Sequence, residues 1–240
     1  MSPNTSLEQF HDKYKDQRCF IVCPGPTLKQ MNLERLKDEV TIGVNSVYLA
    51  CKPLDFHLDY TVSTEGTKPE RIHEIINTPG LTAFFTEGAA TYCDEHKPMG
   101  MNPYFVMPDR KPIATDSEED QHFSMDITQG TFIIISVVFQ AVQLAFYMGF
   151  KEVYLIGFDC QCIDGHYYFD DDLYIGKHND DAYHEIFPQL SHELPMHPGW
   201  MNYYMKIYRI IFERHGRRLF NCSPNSQIIA LEKQKLEEMQ

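Results

Sequence analysis

Basic charge is scarce in this chain: 21 Lys and Arg stand against 34 Asp and Glu, a formal net charge of -13. Nucleic-acid binding depends on basic patches that release counterions, so no nucleic-acid partner is expected. The same scarcity means that a phosphate-bearing ligand must be held by backbone amides, helix N-termini, hydroxyls and a few local cations. The seven cysteines lack a framework, Cys160 and Cys162 lack the two-residue gap of a redox or zinc pair, and no second Cys/His pair stands at ligand spacing. No metal site is expected, and the thiols fit a reducing compartment. No apolar export segment follows Met1, so the expected location is cytoplasmic. The most apolar run, Thr131 to Phe150, is interrupted by Gln140 and Gln143, closed by Gly149 and followed at once by Lys151-Glu152. It reads as a buried central helix rather than a transmembrane segment, which leaves only peripheral membrane contact open. Neither Gly-x-x-x-x-Gly-Lys nor Gly-x-Gly-x-x-Gly occurs, which argues against a P-loop kinase and a nicotinamide dehydrogenase.

What is present is ordinary globular composition, 43% hydrophobic and 23% charged over 240 residues. That is enough for a single α/β domain spanning residues 1–240. Residues 1–18 read as a helical lead-in. Cys19 to Cys23 is a short apolar run bounded by Pro and Gly, the pattern of a buried strand. Val40 to Asn45, Phe56 to Tyr60 and Leu81 to Thr86 read as the next strands, with a helical stretch from Lys68 to Ile76 before the last of them. Residues 87–122 and 160–198 read as loops over the active face. Between them lies the clearest strand, Val153 to Asp159. A helix from about Gly199 to His215, a last strand at Arg218 to Cys222 and a charged amphipathic helix from Leu231 to Gln240 complete the expectation. The order predicts a Rossmann-like α/β fold, with a mostly parallel sheet and helices on both faces.

Ligands of open parallel sheets bind outside the carboxyl ends of the strands, at the point where strand order reverses. The polar residues expected there are Gly25, Pro26, Thr27, Asn45, Asp59, Gly157, Asp159 and Asn225. Each is also a residue type that turns favour for conformational reasons. Gly25 permits close backbone approach, and Thr27 offers a hydroxyl and starts a helix whose free amides favour an anion. His178, His184, His192 and His197 are spaced six, eight and five apart, which places no two on one helical face and matches no zinc ligand set. A single general base is more economical, and His197, just before the Gly199 helix, is the candidate. Tyr167 and Tyr168 precede Asp170-Asp171-Asp172, which reads as a solvated loop or as a divalent-ion or acceptor site. The tyrosines can donate hydroxyls to a leaving phosphate.

Phe123-Ser124-Met125-Asp126 and the run from Gln143 to Asp159 resemble the core of the domain-of-unknown-function 115 family. That family is often labelled 6-hydroxymethylpterin diphosphokinase-like and is similar to the sialyltransferases of glycosyltransferase family 42. Ile21 to Asn45 and Leu219 to Ser226 resemble the corresponding parts. In the sialyltransferases a Gly-Asn-Gly-Pro-Ser loop, an Asn after the second strand, tyrosines after a Gly-x-Asp strand and a His before the last helix bind the cytidine nucleotide and act in transfer. Here Pro24 replaces the loop Asn, Asn45 matches, Asp59 stands for an Asn and Gln161 for one tyrosine; Tyr167 fits the other tyrosine and His197 the base. The resemblance implies His197 and Tyr167 as catalytic residues. It implies Gly25, Pro26, Thr27, Asn45, Asp59, Ser136, Gly157, Asp159, Gln161 and Asn225 as nucleotide and substrate contacts. The activity it implies is an inverting glycosyltransferase using a CMP-activated, sialic-acid-like sugar in surface glycan or polysaccharide synthesis, with no required cofactor. The partners it implies are a nucleotide-activated sugar and a glycan acceptor, and a homo-oligomer is expected. The alternatives are a Mg²⁺-dependent 6-hydroxymethylpterin pyrophosphokinase and a non-catalytic nucleotide-binding module.

Overall fold

Eight parallel strands build one sheet in the computed structural model. It describes residues 6–51, 56–64, 69–90, 102, 104–110, 121–132, 134, 136–164, 166, 168–169 and 198–239. In chain order the strands are β1 (Arg18–Val22), β2 (Val40–Val44), β3 (Tyr60–Ser63), β4 (Thr82–Thr86), β5 (Tyr104–Met107), β8 (Glu152–Ile156), β9 (Arg218–Asn221) and β10 (Glu232–Lys233). The two-residue strands β6 (Asp109–Arg110) and β7 (Thr131–Phe132) pair separately. The sheet order is β10-β9-β8-β1-β2-β3-β4-β5, so strand order reverses between β1 and β8. This is the Rossmann-like α/β fold.

The strand sequences explain their places. β1 and β8 each bury their last four residues, as central parallel strands covered on both faces must. Ile21 pairs with Leu155 and Phe20 with Tyr154, and the Tyr154 ring stacks on Phe20 and Phe220 at 5.2 and 4.8 Å. Edge strand β5 buries only alternate residues, and edge strand β10 is exposed, the short solvated border that limits unwanted strand pairing. One face of the sheet packs against α3 (Val137–Tyr147) and α4 (Pro198–Arg214). The other packs against α1 (Tyr48–Cys51), α2 (Pro69–Asn77) and the one-turn helices that follow β1. Among the described residues no helix is long and apolar enough to cross a membrane.

Helix α3 is the expected central helix, shortened. All its residues but Val137 are buried, including Gln140 and Gln143. Gln143 is wholly enclosed, and its amide is fully used. Oε1 accepts from the amides of Ser124 and Phe132, each at 3.0 Å, and Nε2 donates to the carbonyls of Phe132 and Phe139 and to Tyr208 Oη. This amide fastens the 123–132 segment and α4 to α3.

Several expectations change. Thr131 and Phe132 form β7 rather than the start of the helix. The lead-in contains a 3-10 turn, Leu7–Phe10. The 87–122 loop contains edge strand β5. The third strand runs over Tyr60–Ser63, four residues beyond its expected start, because the β-branched Thr61 and Val62 pair with Gly43 and Val44. The expected C-terminal helix is instead β10 and a 3-10 turn, Leu236–Glu238. Glu232 and Lys233 are drawn onto β9, where Glu232 meets Arg218 at 2.7 Å, while Leu231 and Leu236 are buried.

Candidate functional site

The two loops that leave β1 and β8 meet at the reversal of strand order. Gly25 N–H donates to the Gly157 carbonyl at 2.8 Å, and Cys23 N–H to that of Ile156 at 2.8 Å. Both glycines are needed for so close an approach. A Cβ on Gly25 would stand 2.4 Å from Asp159 Oδ2 and from the Gly157 oxygen; one on Gly157, at φ +64°, would stand 2.2 Å from the Cys23 oxygen.

The loops are locked by Asp159, which is only 2% exposed. Its Oδ2 accepts from Thr27 N–H at 2.8 Å and its Oδ1 from Thr27 Oγ1 at 2.5 Å. Burial pushes the carboxyl above its ordinary range, against the pull of both Thr27 hydrogen bonds and the Lys233 charge. The Thr27 hydroxyl and amide, expected to face an incoming anion, are thus given to an internal carboxylate, and Thr27 is the second residue of a five-residue 3-10 helix, Pro26–Gln30, that Gly25 caps. Gly25, Pro26 and Thr27 are buried where the β1 and β8 loops meet.

The remaining residues divide by edge. Asn45, at φ +49°, follows β2 at the carboxyl edge, and its Oδ1 accepts from Thr64 N–H at 3.0 Å, joining the loops after β2 and β3. Its Nδ2 has no hydrogen-bond partner among the described residues. Ser136 caps α3, accepting from Val138 N–H at 3.4 Å; since α3 runs back toward the start of β8, this helix N-terminus opens at the carboxyl edge. Gln161 Nε2 donates to the Asn225 carbonyl at 2.5 Å, and Asn225, at φ +58°, is an exposed turn residue.

Asp59 does not join this group. It precedes β3, where Oδ2 accepts from Thr41 N–H at 2.9 Å and from Thr41 Oγ1 at 3.0 Å. The whole four-residue strand, about 13 Å at the usual rise, separates it from the carboxyl edge. His197, Tyr167, His178, His184, His192 and Asp170 to Asp172 lie outside the described residues. Among the described residues no three His, Cys, Asp or Glu side chains gather as a metal-binding group.

Sequence reasoning missed the cradle beneath the Gly157 loop. Ser223 Oγ accepts from Phe158 N–H and Ser226 Oγ donates to the Phe158 carbonyl, both at 2.7 Å; Asn221 Nδ2 donates to Ser226 Oγ at 2.9 Å. Gln227 N–H donates to the Asp159 carbonyl at 3.0 Å. Lys233 Nζ reaches the Ser226 carbonyl at 3.2 Å, and burial lowers its pKa while Asp159 opposes the shift. The polar run after the last strand was the available signal. A cavity of about 400 Å³ opens elsewhere, beside Leu58, Asn77 and Leu81 at the amino edge. It is distant from the meeting of β1 and β8, where the polar groups converge.

A family model described as 6-hydroxymethylpterin diphosphokinase MptE-like matches residues 1–165. No curated protein sequence matches the chain. Among solved structures, the MAf glycosyltransferase from Magnetospirillum magneticum AMB-1 superposes with a TM-score of 0.58 at 14% identity, over 96% of this chain and 35% of that one. The likeness is one of fold, and the chain spans about a third of that protein's length. The sialyltransferase CST-II, solved with a trisaccharide acceptor and CMP, gives a TM-score of 0.37 at 13% identity, over 93% of this chain and 89% of its own.

Proposed function

This chain belongs to the 6-hydroxymethylpterin diphosphokinase MptE-like family, and from that premise we propose a transferase that takes a nucleotide-activated donor in the crevice between the β1 and β8 loops. The finer reading is an inverting glycosyl transfer from a CMP-activated, sialic-acid-like sugar. Gly25 to Thr27 form the wall, and Asn45, the α3 N-terminus at Ser136, Gln161 and Asn225 line the rim. His197 takes the proton of an acceptor hydroxyl, whose oxygen bonds to the anomeric carbon as the bond to the nucleotide phosphate breaks. Tyr167 and local amides stabilise the departing phosphate.

The observation that carries this reading is the Asp159–Thr27 clamp. Both oxygens of the buried acid at the strand reversal are engaged, and Asp59 stands at the opposite edge. Two carboxylates that metal-dependent chemistry would draw on are therefore committed elsewhere. The MAf glycosyltransferase overlies nearly the whole chain, which adds support at the level of fold. The family description favours a second reading, pyrophosphoryl transfer to a pterin alcohol with Mg²⁺, for which Asp170 to Asp172 are the available acids.

Thermal stabilisation separates the two. CMP or CDP raising Tm without metal supports glycosyl transfer, and ATP with Mg²⁺ doing so supports the second reading. Normal turnover by His197→Ala would remove the assigned base. No response to either nucleotide would count against both readings.

A further inference from the structure

Helix α4 places Trp200, Tyr203 and Tyr204 on one face by their spacing of three and four. Met201, Met205 and Tyr208 of the same helix are wholly buried, but Trp200, the sole tryptophan, is 56% exposed and Tyr203 37%. These are not loose surface side chains. Trp200 stacks over Tyr204 at 6.4 Å and 26°, with Tyr203 edge-on to it at 6.2 Å and 88°. Tyr204 rests in turn on His122 at 5.2 Å and on Phe139 at 5.9 Å.

This aromatic face adjoins the first turn of α3, where Tyr204 meets Phe139. Like α3, α4 precedes a parallel strand, so its first turn lies at the carboxyl edge. Asn202 Nδ2 donates to the Gln227 carbonyl at 2.9 Å, and Gln227 N–H donates to the Asp159 carbonyl at 3.0 Å. Two hydrogen bonds thus tie α4 to the Asp159 backbone through Asn202, which lies on the opposite side of the helix from Trp200 and Tyr204. On the other flank Phe139 lies in the first turn of α3, three residues after Ser136. In the chain Trp200 follows His197 by three residues.

One indole face with a perpendicular flank suits a puckered ring better than a flat one. A nucleobase or pterin gains most between two parallel faces. A pyranose lays its C–H side on a single aromatic ring and turns its hydroxyls outward, and Trp and Tyr each join an apolar ring to a polar tip. Resting on the transferase reading above, we propose that Trp200 and Tyr203 form an acceptor subsite on which a saccharide ring stacks.

Trp200 supplies its own probe. The full chain is titrated with lactose, N-acetyllactosamine and cellobiose while tryptophan emission is followed, and CMP stabilisation is measured separately. The expected result is a saturable emission change with at least one disaccharide. Tyr203→Ala should weaken it about tenfold, Tyr203→Phe should largely restore it, and Trp200→Ala should keep CMP stabilisation at the wild-type level. The proposal is overturned if no disaccharide alters emission, or if Trp200→Ala abolishes CMP stabilisation, which would make this face a nucleobase seat. Absence of CMP stabilisation in the wild type counts against the transferase reading alone, because the emission measurement uses no nucleotide.

Discussion

Thr27 gives both of its donors to one buried carboxylate: its amide to Asp159 Oδ2 at 2.8 Å and its hydroxyl to Oδ1 at 2.5 Å. The pair joins loops that are 132 residues apart in the chain. A helix start expected to bind an external anion is completed by an internal one.

Thr27→Val keeps the shape and removes the hydroxyl, leaving Asp159 Oδ1 buried without that donor. The expected loss is about 1–3 kcal/mol, a fall in Tm of several degrees in calorimetry, and Thr27→Ser should recover most of it.

The pH dependence of stability carries the mark of Asp159. Burial raises its folded pKa above the unfolded value, so the folded chain holds the proton more tightly. That contribution is complete below the ordinary carboxylate range and is lost as pH rises through the raised folded value. Asp159→Asn cannot titrate, and its Nδ2 can donate to Thr27 Oγ1. Denaturation midpoints between about pH 4 and 7 should therefore fall less steeply with pH in Asp159→Asn than in the wild type.

Two glycines at positive φ separate strain from crowding. A Cβ added to Gly216, at φ +68°, would meet nothing within 4 Å, whereas one added to Gly157 would meet the Cys23 oxygen at 2.2 Å. Gly216→Ala should cost about 1–2 kcal/mol from conformation alone. Gly157→Ala should cost distinctly more in a urea titration and should also lower the CMP response.

Gln143→Leu tests the buried amide. It leaves the amides of Ser124 and Phe132 without their acceptor and should cost about 2–4 kcal/mol by chemical denaturation. The loss should appear equally with and without nucleotide, since Gln143 lies in the core.

Much of the sheet was legible because buried parallel strands are short apolar runs with turn residues at their ends, as in Cys19 to Cys23 and Val153 to Asp159. The third strand was misplaced because Phe56 to Tyr60 is as apolar as Tyr60 to Ser63, and only pairing with β2 chooses between them. Asp59 followed that error to the wrong edge. The C-terminal helix failed for a related reason: its charged, amphipathic pattern is a local preference, and pairing with β9 overrides it.

By itself the sequence determined the alternation of strands and helices, the carboxyl-edge residues Gly25, Thr27, Asn45, Gly157 and Asp159, and the family, since these reside in short contiguous patterns. Only the tertiary structure decided what those residues do to one another. A hydrogen bond such as Thr27 to Asp159, or a ring contact between helices such as Tyr204 on Phe139, depends on which strands and helices become neighbours. Strand order and helix placement follow from the collective burial of apolar faces, which no local pattern encodes.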